Sequence, residues 1–501
     1  MKIAPLLLTV ACHFLTSGLF AAEPPAKPNF VIINIDDLGY ADIGPFGSTL
    51  NRTPHLDRMA KEGKKLTSFY AAPVCSPSRS SLMTGCYPKR VLPISHVLFP
   101  AGAVGLNPQE TTVAEVVKTA GYATACVGKW HLGDQPEFLP TAQGFDEYLG
   151  IPYSNDMGPA EDGSKSDLGA KLPESRLANL TGNDELGLRG HSQPPLPLLK
   201  NNRVIARVRQ DEQQGIVERY TTAALDFIQR HREQPFLLYL PHNAVHFPLY
   251  PGKAWAGKSP HGYYSDWVEE VDWSVGRVLD TLRQLGLDKK TLVLFTSDNG
   301  GTPRAVNKPL RGHKGSTWEG GIRTSTIAWW PGQIPAGTSS AAITGMFDVL
   351  PTIARLSGGP LPSAKLDGAD IWPILSGASN DGPHETFYYF RGLTLEAVRQ
   401  GPWKLHLGLA LPAQNKGKAK AKSNGIPTAP ELYQLENDPG ESNNQAASHP
   451  EIVQRLQALA TAMDSDLGTR EIGPGCRTLG RVTAPQPLID KDGKIRAGFE
   501  P

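Results

Sequence analysis

Excess charge of either sign, cysteine and long apolar runs are all scarce in this chain, and each shortage removes a class of protein. Its 501 residues carry 50 basic and 49 acidic side chains, a formal net charge of +1. That balance supplies no field for holding nucleic acid or a membrane surface, because both need a concentration of basic charge. Only five cysteines occur: Cys12, Cys75, Cys86, Cys126 and Cys476. None forms a CxxC pair or a paired zinc spacing, so a dense disulfide framework is excluded, although a single bridge is not. After residue 22 no stretch is long and apolar enough to span a bilayer. No internal repeat is visible. What remains is ordinary globular usage, 40% hydrophobic and 20% charged, in a chain long enough to bury a large core.

The first 22 residues read as a secretory signal peptide. Lys2 supplies a positive start, Pro5–Phe20 is apolar, and small residues follow at Ala21 and Ala22. His13, Thr16, Ser17 and Gly18 interrupt the apolar run, which argues against a membrane anchor. The expectation is an exported protein, periplasmic or extracellular, or lysosomal in a eukaryote, with no stable membrane insertion.

Beyond the leader, residues 23–380 read as one large α/β domain. Phe30–Ile35 is a short β-branched run flanked by turn residues, as a buried parallel strand should be. Thr53-Pro54 opens a helix, with Thr53 as N-cap, and Gly63 closes it. Helices at Thr112–Thr119, Ile216–Gln229 and Ser265–Leu285 precede strands at Tyr122–Val127, Phe236–Leu240 and Thr291–Thr296. Ser325–Trp330 is a further strand. This alternation implies a mostly parallel sheet with helices on both faces. Asp156–Pro197 reads as a polar surface excursion and Lys416–Lys422 as a solvated basic loop. Residues 381–501 read as a smaller α+β domain and tail: short strands at Phe387–Arg391, Glu396–Arg399, Trp403–Leu407 and Leu432–Leu435, then a helix opened by a Ser448/Glu451 capping box.

Two features carry chemistry. Asp36-Asp37 and Asp298-Asn299 each follow a strand, and ligands of parallel sheets bind at that edge. Three carboxylates and an amide oxygen make a hard oxygen site suited to Ca²⁺, or to Mg²⁺. The second feature is Cys75-Ser76-Pro77-Ser78-Arg79, continuing to Leu82-Met83-Thr84-Gly85. Taken alone it fits a buried Cys before a turn, or a thiolate nucleophile whose pKa Arg79 lowers.

The pattern Cys75-x-Pro77-x-Arg79 with Leu82-Met83-Thr84-Gly85 resembles the signature of type I, formylglycine-dependent sulfatases. Further blocks are similar to that family's, in order: Asp36–Asp42, Thr53–Asp57, Gly128–Gly133, His246-Phe247-Pro248, Ser297–Gly300, Lys314–Gly321, and Leu432–Leu435 with Asp438-Pro439 and Glu441. The likeness runs from Asn29 to about Leu467. Gly150–Ser154 resembles the branch of arylsulfatase A and N-acetylgalactosamine-6-sulfatase.

The resemblance implies an alkaline-phosphatase-like α/β fold and hydrolysis of sulfate esters. It implies conversion of Cys75 to formylglycine by a dedicated maturation enzyme. It implies Ca²⁺ held by Asp36, Asp37, Asp298, Asn299 and residue 75. Arg79, Lys129, His131, Ser154, His246 and Lys314 would surround the aldehyde and the sulfate group. On this reading Asp298 accepts the attacking proton, His246 with Lys314 protonates the leaving oxygen, and His131 takes the second hydroxyl's proton. His242 lies in the same stretch as His246; His246 is chosen because the family's His precedes an aromatic residue and Pro, which leaves His242 a supporting, substrate-rim or structural role. The expected substrate is a sulfated carbohydrate. Hydrolysis of phosphonate or phosphate diesters, or silent binding of sulfated glycans, are the alternatives.

Overall fold

The structure, a computed structural model, describes residues 27–173, 182–408 and 427–501. The expected signal peptide and the basic run at 416–422 lie outside the described residues.

The strands of the main sheet, in chain order, are β1 (Asn29–Ile35), β2 (Lys64–Tyr70), β3 (Ala123–Val127), β4 (Glu147–Gly150), β5 (Pro197–Lys200), β6 (Arg203–Arg207), β7 (Phe236–Pro241), β8 (Thr291–Ser297), β9 (Arg323–Trp329), β10 (Thr338–Ser340) and the short β11 (Thr344–Gly345). Their spatial order is β10-β2-β9-β8-β1-β7-β3-β4-β5-β6, with β11 beside β2. The central run β8-β1-β7-β3-β4 is parallel. This is the alkaline-phosphatase-like fold that the family resemblance implies.

β1 shows why its sequence makes a central strand. All seven residues are buried, and alternate side chains enter two different cores. Val31, Ile33 and Ile35 join one core with α1 (Pro54–Glu62) and, further along the chain, the helices Ile216–Arg230 and Tyr263–Gln284. Phe30 and Ile32 join the other, with α2 (Cys75–Thr84), α3 (Val113–Thr119) and the helix Val349–Ser357. The helices after α3 are called α4 (Ile216–Arg230), α5 (Tyr263–Gln284), α6 (Val349–Ser357) and α7 (Pro450–Met463).

The strand expected at Ser325–Trp330 exists, but it runs antiparallel to β8. The chain from Asp298 to Ile322 does not cross back over the sheet. It stays at the β8 carboxyl edge, where its residues build the site, so the next strand must return.

The smaller sheet is antiparallel, ordered β12 (Thr386–Arg391), β13 (Thr394–Gln400), β14 (Trp403–His406) and β15 (Glu431–Gln434). α7 buries Leu456 and Ala460 against it. The expected Ser448/Glu451 capping box does not form. His449 takes the N-cap position and Pro450 the first turn, where a missing N–H costs nothing. The last residues return to the main domain: Gly480–Arg481 pairs with Val104–Gly105, and Leu488, Ile489 and Phe499 enter its core. No disulfide forms among the described residues, whose cysteines 75, 86, 126 and 476 are all free.

Thr53 also departs from expectation. It occupies the N-cap position of α1, but its hydroxyl accepts from Gly44 N–H at 2.8 Å instead of from the helix. The helix end is capped from outside: Asp272 on α5 accepts from Leu56 N–H at 2.8 Å and from His55 N–H at 3.2 Å. Truncating Asp272 to Ala should therefore leave two amides unpaired and cost about 1–2 kcal/mol. Denaturant unfolding of the variant measures this, and a loss below about 0.3 kcal/mol would show that water replaces the carboxylate at no cost.

Candidate active site

Every strand of the parallel run delivers a polar side chain at its carboxyl end. Asp36 and Asp37 follow β1, Lys129 follows β3, Ser154 follows β4, His246 follows β7, and Asp298 and Asn299 follow β8. Cys75 opens α2, just beyond the end of β2, and is fully buried. Gly128 makes one of these placements possible. Its φ is +138°, and a Cβ there would lie 2.0 Å from Pro241 O. Only glycine permits that approach, which lets Lys129 N–H donate to Pro241 O at 2.7 Å.

Cys75 lies at the centre. Its Sγ is 3.4 Å from Asp36 Oδ1 and 3.4 Å from Lys314 Nζ. Burial pushes the thiol well above its usual range, and the nearby Asp298 and Asp36 carboxylates push it further. That environment opposes a thiolate nucleophile.

Arg79, one turn further along α2, is completely buried. Its Nε and Nη2 donate to Asp298 Oδ2 at 2.9 and 2.8 Å, and Nη1 donates to Lys129 O at 2.5 Å. Nη2 also lies 3.4 Å from Asp36 Oδ2. One fork thus ties α2 to the tips of β1, β3 and β8.

A ring of cations faces the same space. Lys129 Nζ donates to Asp36 Oδ2, and to Ser154 Oγ at 3.1 Å. Ser154 Oγ lies 3.2 Å from His246 Nδ1, and His246 Nε2 lies 3.7 Å from Asp37 Oδ2. Lys314 Nζ pairs with Asp37 Oδ1 at 2.7 Å. Burial pushes Asp36 up, but Lys129, His246, Arg79 and Lys314 together hold it well below the usual carboxylate range. His131 Nε2 contacts Leu98 O at 2.9 Å, and its buried Nδ1 has no partner. Burial, with Lys129 and Arg79 nearby, drives its pKa well down, so the ring is neutral and keeps a free acceptor.

Ligand atoms of Asp36, Asp37, Cys75 and His246 all fall within 4.8 Å of one another. Asn299 donates through Nδ2 to Asp37 Oδ1 at 2.8 Å, while its buried Oδ1 has no partner. Two carboxylates and an orphaned amide oxygen at one strand edge fit a hard divalent cation. Asp298 is arranged differently. Its Oδ2 is taken by Arg79, and its Oδ1 is 3.4 Å from Asp37 N.

His242 does not share this space. Its Nε2 contacts Ser274 Oγ at 3.1 Å, and that hydroxyl contacts Thr221 Oγ1 at 2.6 Å, between α4 and α5. Of the two histidines, it is His246 whose ring lies with Asp36, Asp37 and Cys75. His313 bonds the backbone oxygen of Lys314, and Arg311 stacks on Trp318 at 3.7 Å. Arg304 pairs with Asp167 at 2.8 Å and lies over Phe247, beside His246.

Sequence reading missed two contributors. Asp156, taken as the start of a surface excursion, has a buried Oδ1 with no partner. Burial pushes its pKa up, but His246, Lys165, Lys129 and Lys314 outweigh this and hold it below its usual range. It is therefore a charged group facing the site, and its spacing of two residues from Ser154 was the available signal. The second contributor is a buried ionic knot behind Lys314. Lys404 Nζ donates to Thr317 O at 2.7 Å and pairs with Glu319 and Glu441, each at 2.9 Å. Glu441 accepts from Glu319 N–H at 2.8 Å. β14 thus holds the loop that carries Lys314.

The sulfatase family model matches residues 28–359, and that for the C-terminal region of aryl-sulfatase matches residues 382–478. Human arylsulfatase A is 37% identical over 470 residues, covering 89% of each chain. Mouse N-acetylgalactosamine-6-sulfatase is 34% identical over 528 residues, covering 95% of this chain and 96% of that one. The solved structure of the PsFucS1 sulfatase from Pseudoalteromonas sp. superposes with a TM-score of 0.75 at 26% identity, covering 91% of this chain and 92% of that one. With the strand-edge cluster of carboxylates and cations around Cys75, these similarities make the assignment plain: the chain belongs to the sulfatase family and is a sulfuric ester hydrolase.

Proposed function

We propose that the protein hydrolyses sulfate esters of a carbohydrate, through a formylglycine made from Cys75 and with a bound Ca²⁺. The observation that carries this reading is the position of Cys75, held between Asp36 and Lys314 at the centre of the cation ring. Oxidised and hydrated, residue 75 would supply two hydroxyls on one carbon, one to attack sulfur and one to release sulfate afterwards. Ca²⁺, held by Asp36, Asp37, residue 75, Asn299 and Asp298, would offset charge on the sulfate oxygens.

The chain's own residues do the rest. Lys129, Ser154, His246 and Lys314 bind and orient the anionic ester. Arg79 keeps Asp298 and Asp36 fixed. Asp298 takes the attacking proton. His246, assisted by Lys314, delivers a proton to the departing oxygen. His131, neutral and with Nδ1 free, accepts the proton of the second hydroxyl. Asp156 Oδ1 offers an acceptor for an alcohol hydroxyl, which supports a sugar leaving group over an apolar one. A relative named N-acetylgalactosamine-6-sulfatase is consistent with this class. The reading includes export through the leader to the periplasm, the exterior or a lysosome, and conversion of Cys75 by a formylglycine-generating enzyme.

The test is a panel assay on protein whose converted fraction of residue 75 has been measured by peptide mass spectrometry. Sulfate release from sulfated oligosaccharides should scale with that fraction, fall on chelation and return with Ca²⁺. Faster cleavage of a nitrophenyl phosphodiester, or preference for a steroid sulfate, would overturn the substrate class. Activity independent of conversion would overturn the nucleophile.

A further inference from the structure

Away from the strand-edge site, on the helical face built by α4 and α5, lies a groove of about 790 Å³. Its walls come from the start of α4 and the short helix Gln210–Gln214 before it, the loop 252–258, and the middle of α5. The catalytic reading uses none of its residues.

Two half-buried indoles, Trp255 and Trp273, line it with ring centroids 6.3 Å apart and planes tilted by 51°. Arg277 lies over the Trp273 ring at 5.7 Å, and the indole surface left open at the groove wall is suited to a flat apolar face. The rim is polar. Asp211 and Glu218 offer carboxylates, Lys253 and Lys258 offer ammonium groups, and Arg52, paired with Glu269, also lines the groove.

The wall carrying Trp255 is held rigidly. Asp266 accepts from Gly257, Lys258 and Ser259 N–H at 2.7, 3.0 and 2.6 Å. Glu270 accepts from Gly252 N–H at 2.7 Å, and Gln214 donates to Pro251 O at 3.2 Å. A loop fixed at both ends spends little entropy on meeting a ligand. Glu270 also lies on the groove wall, and burial pushes its carboxyl up to about 8.

We propose that this groove is a second carbohydrate-binding site, taking a pyranose chain across the Trp255–Trp273 pair. A pyranose presents a C–H face that stacks on indole and an equatorial rim of hydroxyls that needs donors and acceptors together. The groove supplies both. Asp211 and Glu218 accept hydroxyl protons, and the two lysines donate to ring oxygens, hydroxyls or a sulfate. A peptide would find the indoles but no row of backbone partners, since the walls are helices and a self-satisfied turn. The proposal rests on the carbohydrate reading for its biological sense, but the binding it describes is independent of hydrolysis. The site would keep the enzyme on a polymer between cleavage events.

The test is affinity electrophoresis of the full chain through gels containing soluble carrageenan or agarose, a sulfated and an unsulfated galactan. The protein should be retarded, and a Trp255→Ala/Trp273→Ala double variant should lose retardation by about tenfold in apparent affinity, some 1.4 kcal/mol. Turnover of nitrophenyl sulfate should stay within twofold of the parent, roughly the noise of such assays. The Trp255→Tyr/Trp273→Tyr variant should restore most of the binding, which separates stacking from misfolding. A Lys314→Ala variant should remain retarded. Loss of retardation in that variant, with none in the tryptophan variants, would sink the groove while leaving the sulfatase reading intact. Absence of retardation in the parent, or loss in the alanine variant without recovery by tyrosine, would also overturn it.

Discussion

Replacing Cys75 by Ser should lower steady turnover of any sulfate ester by at least about 10⁴-fold, the scale reached when a covalent catalyst loses its nucleophile. Burial and the neighbouring Asp298 and Asp36 oppose ionisation of the thiol, so the unconverted Cys is already a poor nucleophile. A serine at this position would place one hydroxyl where the hydrated aldehyde places two. On the proposed mechanism it could still attack sulfur, with Lys129, Ser154, His246 and Lys314 holding the ester. It has no second hydroxyl whose deprotonation expels sulfate, so His131 Nδ1 has nothing to deprotonate. The expected result is a burst of at most one alcohol per site, with the substituted side chain heavier by one sulfo group (SO3) in peptide mass spectra. Sustained turnover within about tenfold of the converted enzyme would sink the two-hydroxyl mechanism.

Much of the architecture was legible because it follows from local rules. The β-branched run at Phe30–Ile35 could only be a strand buried on both faces, and its alternate residues do enter two cores. The carboxylates at its tip were legible for the same reason: a parallel sheet gathers strand ends on one edge. Contacts between distant residues were not legible. Thr53 satisfied every local requirement for an N-cap, yet Asp272, 216 positions away from Leu56, caps the helix. β9 had the composition of a strand, but its direction depended on where the chain from Asp298 to Ile322 had to remain. Asp156 looked like loop because its neighbours are polar, and only the fold shows it facing His246 and Lys129. The knot of Lys404, Glu319 and Glu441 joins residues 85 positions apart in one pair. In sequence these are unremarkable charges; in the structure they are wholly buried, and each is useful only because the others are present.

The choice of His246 over His242 carries the second large prediction. His246→Ala should cost about 10²–10⁴-fold in kcat on a sugar sulfate, the range typical of a lost general acid. It should cost far less on nitrophenyl sulfate. The difference lies in the leaving group. A sugar alkoxide is a strong base that must gain a proton as the S–O bond breaks, whereas nitrophenolate departs without one. The ring is oriented for this task. Nδ1 lies 2.5 Å from Phe247 O, which fixes the Nδ1–H tautomer, and Nε2 points toward Asp37 at 3.7 Å. On the proposed mechanism Nε2 is then the atom that passes a proton to the substrate. Lys314, 2.7 Å from Asp37 Oδ1, is the substitute donor expected to set a floor under the loss. The measurement is kcat across sulfate esters whose alcohols span a wide range of acidity. For the parent the rate should depend weakly on alcohol acidity, and for the variant steeply. Equal losses across the series would mean that His246 binds the sulfate group and another residue protonates the alcohol.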